Sequence, residues 1–206
     1  MSEANDPYLD PSTGVLHNLV GARTPDALAE AEADLVVARA AQLAFRPVAP
    51  TCDLAEFRAI HRHLFQDLYA WAGEVRKVDI RKNLAGAQPF LPASVISRAA
   101  DFAADELRRD KMLRGLRRSE LIDRLSHHYD QWNHIHPFRE GNGRTQRLFW
   151  SRVAADAGWE LNWLEVTGAA NDDACRIASE RGDLTPLNRM FARIVRPAVE
   201  TGTHQQ

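Results

Sequence analysis

His136-Pro137-Phe138-Arg139-Glu140-Gly141-Asn142-Gly143-Arg144-Thr145-Gln146-Arg147 joins two predicted helices and decides how the rest of the chain is read. Gly141, Asn142 and Gly143 can bend so that successive backbone N–H groups converge on an anion at the start of the following helix. The helix dipole favours negative charge at the same place. Arg144 and Arg147 stand three apart and so can face one ligand. Their planar guanidinium groups suit phosphate oxygens. Glu140 offers the hard carboxylate that holds Mg²⁺ on a triphosphate. His136 is the one group in the stretch whose ordinary pKa suits a general base near neutrality. Read as a set, these residues predict attack of a hydroxyl on phosphorus, with cations and backbone dipoles absorbing the developing charge.

Outward from this stretch the pattern is helical. Before it, Leu121, Leu125, His128, Trp132 and Ile135 mark one face of a helix beginning near Ser119; after it, Arg144 to Ala157 reads as another helix, stopped by Gly158. Thr24-Pro25 is a cap followed by a first-turn proline and opens an Ala-rich helix to about Ala44. Asp53 and Glu56 form a capping pair before Leu54, Phe57, Ile60, His61, Leu64, Phe65 and Leu68, a helix that Gly73 is expected to close. Another helix is expected over Ala93 to Arg109. Thr185-Pro186 repeats the cap-plus-proline signal before Leu187, Met190, Phe191, Ile194 and Val195. The one β signal is Val75 to Ile80 with Gln88 to Leu91, a hairpin turning through Lys82 to Gly86. Residues 1–23 read as an irregular arm and 24–206 as a single all-α domain with one small β-hairpin.

The net charge of −2 over 206 residues advertises neither nucleic acid nor a membrane surface as partner. No apolar run has the length of a membrane helix, and residues 1–10 carry no signal peptide. Cys52 and Cys175 are too few and too far apart for a disulfide framework or zinc site, which fits a reducing, cytoplasmic setting. His134 and His136 lack further ligands at zinc spacing. His61 and His63 fall on different sides of their helix.

The loop matches every fixed position of the Fic motif, His-Pro-Phe-x-Asp/Glu-Gly-Asn-Gly-Arg-x-x-Arg. Asp6-Pro7-Tyr8, Trp71-Ala72-Gly73 and the hairpin extend the likeness, so that nearly the whole chain resembles the short bacterial Fic proteins. The resemblance implies a Fic-type helical domain whose hairpin flap spans about 75–91 and whose active-site loop is 136–147. It implies a protein adenylyltransferase moving AMP from ATP to a protein hydroxyl. His136 would be the base, and Glu140 would position Mg²⁺. Asn142 with the backbone of Gly141 and Gly143 would hold the α-phosphate region. Arg144 would contact the β-phosphate and Arg147 the γ-phosphate, with Phe138 anchoring the loop in the core. The flap, with Val78, Ile80, Lys82 and Phe90, would receive the target as an added strand; for Lys82 and Phe90 a merely structural hairpin is an equal reading.

Relatives with lysine at the second motif glycine resemble kinases, so Gly143 favours AMP transfer. Many Fic proteins carry an inhibitory Ser/Thr-x-x-x-Glu-Gly/Asn helix. The only Glu followed by Gly or Asn here is Glu140, inside the motif itself. The resemblance therefore implies a toxin whose separate small antitoxin supplies a glutamate to Arg147, and type II topoisomerase B subunits as the target. The alternatives are a non-catalytic adaptor, or a Fic-fold enzyme transferring phosphate or another nucleotide.

Overall fold

Local capping starts the first two helices where the sequence places its signals. The computed structural model describes residues 6–81 and 88–198. Thr24 accepts a hydrogen bond from the Ala27 N–H and starts α1, Pro25–Leu43, with Pro25 in the first turn. Asp53 accepts from the N–H groups of Ala55 and Glu56 and starts α2, Leu54–Phe65. Glu56 does not complete that pair. Its carboxylate accepts from the Cys52 N–H at 2.8 Å and takes a two-pronged contact from Arg152, Nε–Oε1 2.8 Å and Nη2–Oε2 2.7 Å.

Helix α2 ends at Phe65, well before Gly73. Gly73 has φ +80°, and a Cβ there would lie 2.8 Å from the Cβ of Arg62 and 2.9 Å from the Arg58 carbonyl. This glycine permits close approach to α2; it does not terminate it. After a 3₁₀ turn at Ala93–Val95 come α3, Ile96–Arg109, and α4, Arg118–Ile135. Helix α5 covers Asn142–Asp156, so Asn142 and Gly143 belong to its first turn and precede the expected start at Arg144. Helix α6, Gly168–Arg181, has no counterpart in the sequence reading: its buried face is Asn171, Ala174, Cys175 and Ala178, too small and polar to make an apolar stripe. In α7, Thr185–Ile194, the N-cap is Leu184, and Thr185 lies inside the helix with its N–H bonded to Asp183 at 2.9 Å.

Helices α2, α4 and α5 lock together through aromatic rings. Phe57 of α2 stacks on Trp132 of α4 at 3.9 Å and 8°, and meets Phe149 of α5 at 4.4 Å. All three are buried, as are Leu121, Leu125, His128 and Ile135 along the expected face of α4. Cys52 and Cys175 are buried and form no disulfide. Among the described residues no helix is long and apolar enough to cross a membrane.

The regular sheet lies elsewhere than expected. β1, Trp159–Leu161, pairs antiparallel with β2, Val195–Pro197, in the register Glu160 opposite Arg196. Among the described residues the 75–91 hairpin shows one antiparallel bridge, Arg81 with Pro89, and the Phe90 N–H bonded to the Ile80 carbonyl at 3.0 Å. Pro89 has no N–H to extend the ladder. In the first limb the Arg76 N–H instead reaches the Pro137 carbonyl, just past α4, at 2.9 Å. Lys82 lies outside the described residues. The N-terminal arm is docked: Arg139 Nε meets Asp6 at 2.8 Å, and the Lys77 N–H donates to the Tyr8 hydroxyl at 3.1 Å.

Glu56 is 1% exposed, so replacing Arg152 with leucine leaves a buried carboxylate without its partner. The expected loss is about 3–5 kcal/mol in urea unfolding. A loss under about 1 kcal/mol would place this pair with ordinary surface contacts.

Candidate active site

His136 ends α4 in the left-handed conformation, φ 45° and ψ 63°, with its N–H on the Trp132 carbonyl. Its Nδ1 lies 3.2 Å from the Asn133 carbonyl. A carbonyl can only accept, so Nδ1 carries a proton, and in the neutral ring the lone pair is then on Nε2. That tautomer is the one a general base needs. Phe90, expected on the flap among the target-docking residues, stacks on this imidazole at 3.6 Å and 11°. Val78 and Ile80 are half-buried on the same segment.

The loop is held from within. Phe138 is fully buried against the His61 ring at 3.9 Å. Asn142 grips Phe138 on both sides: its Oδ1 accepts from the Phe138 N–H at 2.9 Å and its Nδ2 donates to the Phe138 carbonyl at 2.8 Å. The Asn142 side chain is thus committed to loop geometry, and what this position offers outward is its backbone N–H. Gly141 sits at φ +80°, where a Cβ would come within 2.4 Å of the Phe65 ring. Among the described residues no side chain caps α5. The first amides of a helix have no partner inside it, so the N-terminus of α5 is built to receive an anion. At Gly143 an added Cβ would meet nothing within 4 Å. The protein's own packing gives no reason for glycine there.

The charged groups sort unequally. Glu140 accepts from the Gly141 N–H at 2.8 Å and from Arg144 Nη2 at 3.2 Å. Arg144 also pairs with Glu32 of α1 at 2.9 Å and lies 4.9 Å over the Phe65 ring. Arg147 lies 5.4 Å over Trp163, and among the described residues no carboxylate pairs with it. The two arginines thus rest on different elements. Glu32 was invisible in sequence because α1 carries no motif; the hydroxyl of Tyr69, which follows α2, donates to it at 3.2 Å. Burial, with the charge of Glu32 adding to it, pushes the Tyr69 phenol up. Among the described residues no cluster of three or more His, Cys, Asp or Glu could hold a metal ion.

His61 braces the loop from beneath. It is fully buried, donates from Nε2 to the Glu140 carbonyl at 2.9 Å and accepts the Gly73 N–H on Nδ1 at 2.8 Å. Using one nitrogen as donor and the other as acceptor requires the neutral ring. Burial lowers its pKa to about 4, the nearby Arg144 charge adding and the Glu140 carbonyl opposing.

The model of the Fic/DOC family matches residues 51–154, from just before α2 into the last turn of α5. A protein of Escherichia coli (strain K12) named "Probable protein adenylyltransferase Fic" is 34% identical over 199 residues, 97% of this chain and 96% of that one. The protein adenylyltransferase VbhT of Bartonella schoenbuchensis is 38% identical over 163 residues, 79% of this chain but 34% of VbhT. Among solved structures, the BepC effector of Bartonella tribocorum with bound AMPPNP superposes with a TM-score of 0.85 at 27% identity, over 92% of this chain and 96% of that one.

Two predictions follow from the loop's supports. The folded pKa of His61 lies near 4 and an unfolded histidine's near 6.5. Between those values the unfolded chain binds the extra proton. The contribution of His61 is therefore complete above pH 6.5 and falls away as pH drops toward 4, by about 3 kcal/mol. Urea midpoints at pH 7 and 4.5 should separate less in His61→Gln than in the wild type; equal separations would remove His61 as the cause. Gly141→Ala should destabilise by about 2–4 kcal/mol, from the left-handed backbone and the overlap with Phe65.

Proposed function

Since the chain belongs to the Fic/DOC family, we propose that it is a protein adenylyltransferase, moving AMP from ATP to a hydroxyl side chain of a target protein. The observation that carries this reading is the uncapped N-terminus of α5, opening from the same loop as a histidine whose base tautomer is fixed by Asn133. In the reaction the acceptor oxygen bonds to the α-phosphorus and its proton passes to Nε2 of His136. The bond from the α-phosphorus to the bridging oxygen breaks, and pyrophosphate leaves with that electron pair. The amides of α5 receive the phosphate charge, and Arg144 and Arg147 take the β- and γ-phosphates. Arg144 must then share its guanidinium between phosphate and Glu32. The AMPPNP bound to BepC supports an adenine nucleotide as donor.

A divalent cation fits the donor set in one way only. Glu140 is a single half-exposed carboxylate, and Mg²⁺ is commonly held by one or two carboxylates together with substrate phosphates. Glu140 would hold it, and the ion would supply charge neutralisation at the phosphates.

The flap would dock the target through Val78, Ile80, Lys82 and Phe90. The absence of a carboxylate on Arg147 among the described residues supports control from outside: a separate small antitoxin would supply that glutamate, making this chain the toxin of a pair. Type II topoisomerase B subunits are the proposed targets.

Incubation with cell lysate and ATP labelled at the α- or γ-phosphate tests the reading. Label from the α position alone, lost in His136→Ala, is expected. Label from γ alone would make the protein a kinase, and none from either an adaptor or an enzyme with a different donor. Gly143→Ala is a sharper probe: it should leave stability equal or higher by about 0.5–1 kcal/mol while α-labelling falls at least tenfold. Unchanged labelling would mean that the nucleotide does not approach Gly143. Growth unaffected by strong expression of the chain would count against the toxin assignment.

A further inference from the structure

Arg76 takes no part in the proposed chemistry, yet it is one of the largest fully buried side chains, at 2% exposure. Among the described residues no carboxylate forms an ion pair with it; Asp79, next along the segment, accepts instead from the Ala93 N–H at 2.7 Å. Among the described residues, every hydrogen bond of its guanidinium goes to a backbone carbonyl. Nε donates to His136 at 2.8 Å, Nη1 to Val78 at 2.7 Å, and Nη2 to Leu91 and, at 3.4 Å, to Ile135.

These acceptors belong to three pieces of chain that sequence keeps apart. Ile135 and His136 are the last carbonyls of α4, the negative end of its dipole, where a cation is favoured. Val78 and Leu91 are the outgoing and returning limbs of the flap. The backbone adds two ties at the same place, Arg76 N–H to Pro137 at 2.9 Å and Leu91 N–H to His134 at 3.1 Å. Phe90, adjacent to Leu91, lies on the His136 ring. One planar, five-donor group therefore fixes both the backbone that carries the imidazole and the limb that packs on it. A lysine brings the charge to this position but cannot fork to carbonyls on three sides.

We propose that Arg76 is a positioning residue that sets the His136 imidazole and the base of the flap as one rigid unit. This inference rests on His136 being the base. The decisive variant is Arg76→Lys in the full chain, with Arg76→Gln as the second should the lysine chain fail to fold. The rate of α-label incorporation from ATP into lysate protein should drop tenfold or more at saturating ATP, with the KM for ATP within twofold of wild type. The ¹⁵N shifts of the His136 imidazole, which need no turnover, should move from the Nδ1–H tautomer of the wild type toward a mixture. A wild-type rate in the variant, a KM rising in step with the fall in rate, or unchanged imidazole shifts would each overturn the proposal. So would neither variant folding, since Arg76 would then serve the fold as a whole. If the wild type incorporates no α-label, adenylylation fails as a reading, while the imidazole shifts still decide whether Arg76 positions His136.

Discussion

Between Ile135 and Asn142 the chain leaves one helix and enters another through two residues of positive φ, His136 at 45° and Gly141 at 80°. A non-glycine residue in that conformation is unfavourable and persists only where its surroundings hold it. Those surroundings are the rest of the fold. The carbonyls at the end of α4 are taken up by Arg76, the turn is closed by the amide of Asn142, and Phe138 and His61 are packed beneath it. The sharp passage leaves the histidine and the open amides of α5 in one short loop. The aromatic lock of Phe57, Trp132 and Phe149 keeps the two helices from sliding and so holds that loop to one shape.

The parts legible in sequence were those that depend on near neighbours. Thr24 and Asp53 cap their helices because a cap needs only the next three residues. The α4 face was readable because large apolar residues recur at helical spacing. Helix α6 was not, since its buried side is made of Asn, Ala and Cys, whose burial depends on α4 and α7 rather than on hydrophobicity. The strands β1 and β2 are three residues each and are joined only through long-range pairing, which leaves no local pattern. Thr185-Pro186 carried a valid local signal that Asp183 displaced by bonding the Thr185 N–H first.

Within the site the same division holds. The motif residues announce themselves as a string, but their division of labour does not. The resemblance gives Asn142 to the α-phosphate region, and nothing in the string shows that its side chain clasps Phe138. Glu32 reaches Arg144 from a helix with no motif, and His61 looks like one more core histidine until its two partners, Glu140 and Gly73, are seen. Each of these depends on contacts across the fold that no spacing rule encodes.

The two motif glycines also differ in what keeps them glycine. At 141 the fold itself objects to a side chain, through the backbone angle and the Phe65 ring; at 143 the fold is indifferent. A descendant of this chain that abandoned its chemistry but kept its shape would stay constrained at the first position and drift at the second. The identity of residue 143 across such descendants would then record which lineages still bind a nucleotide, independently of how well they fold.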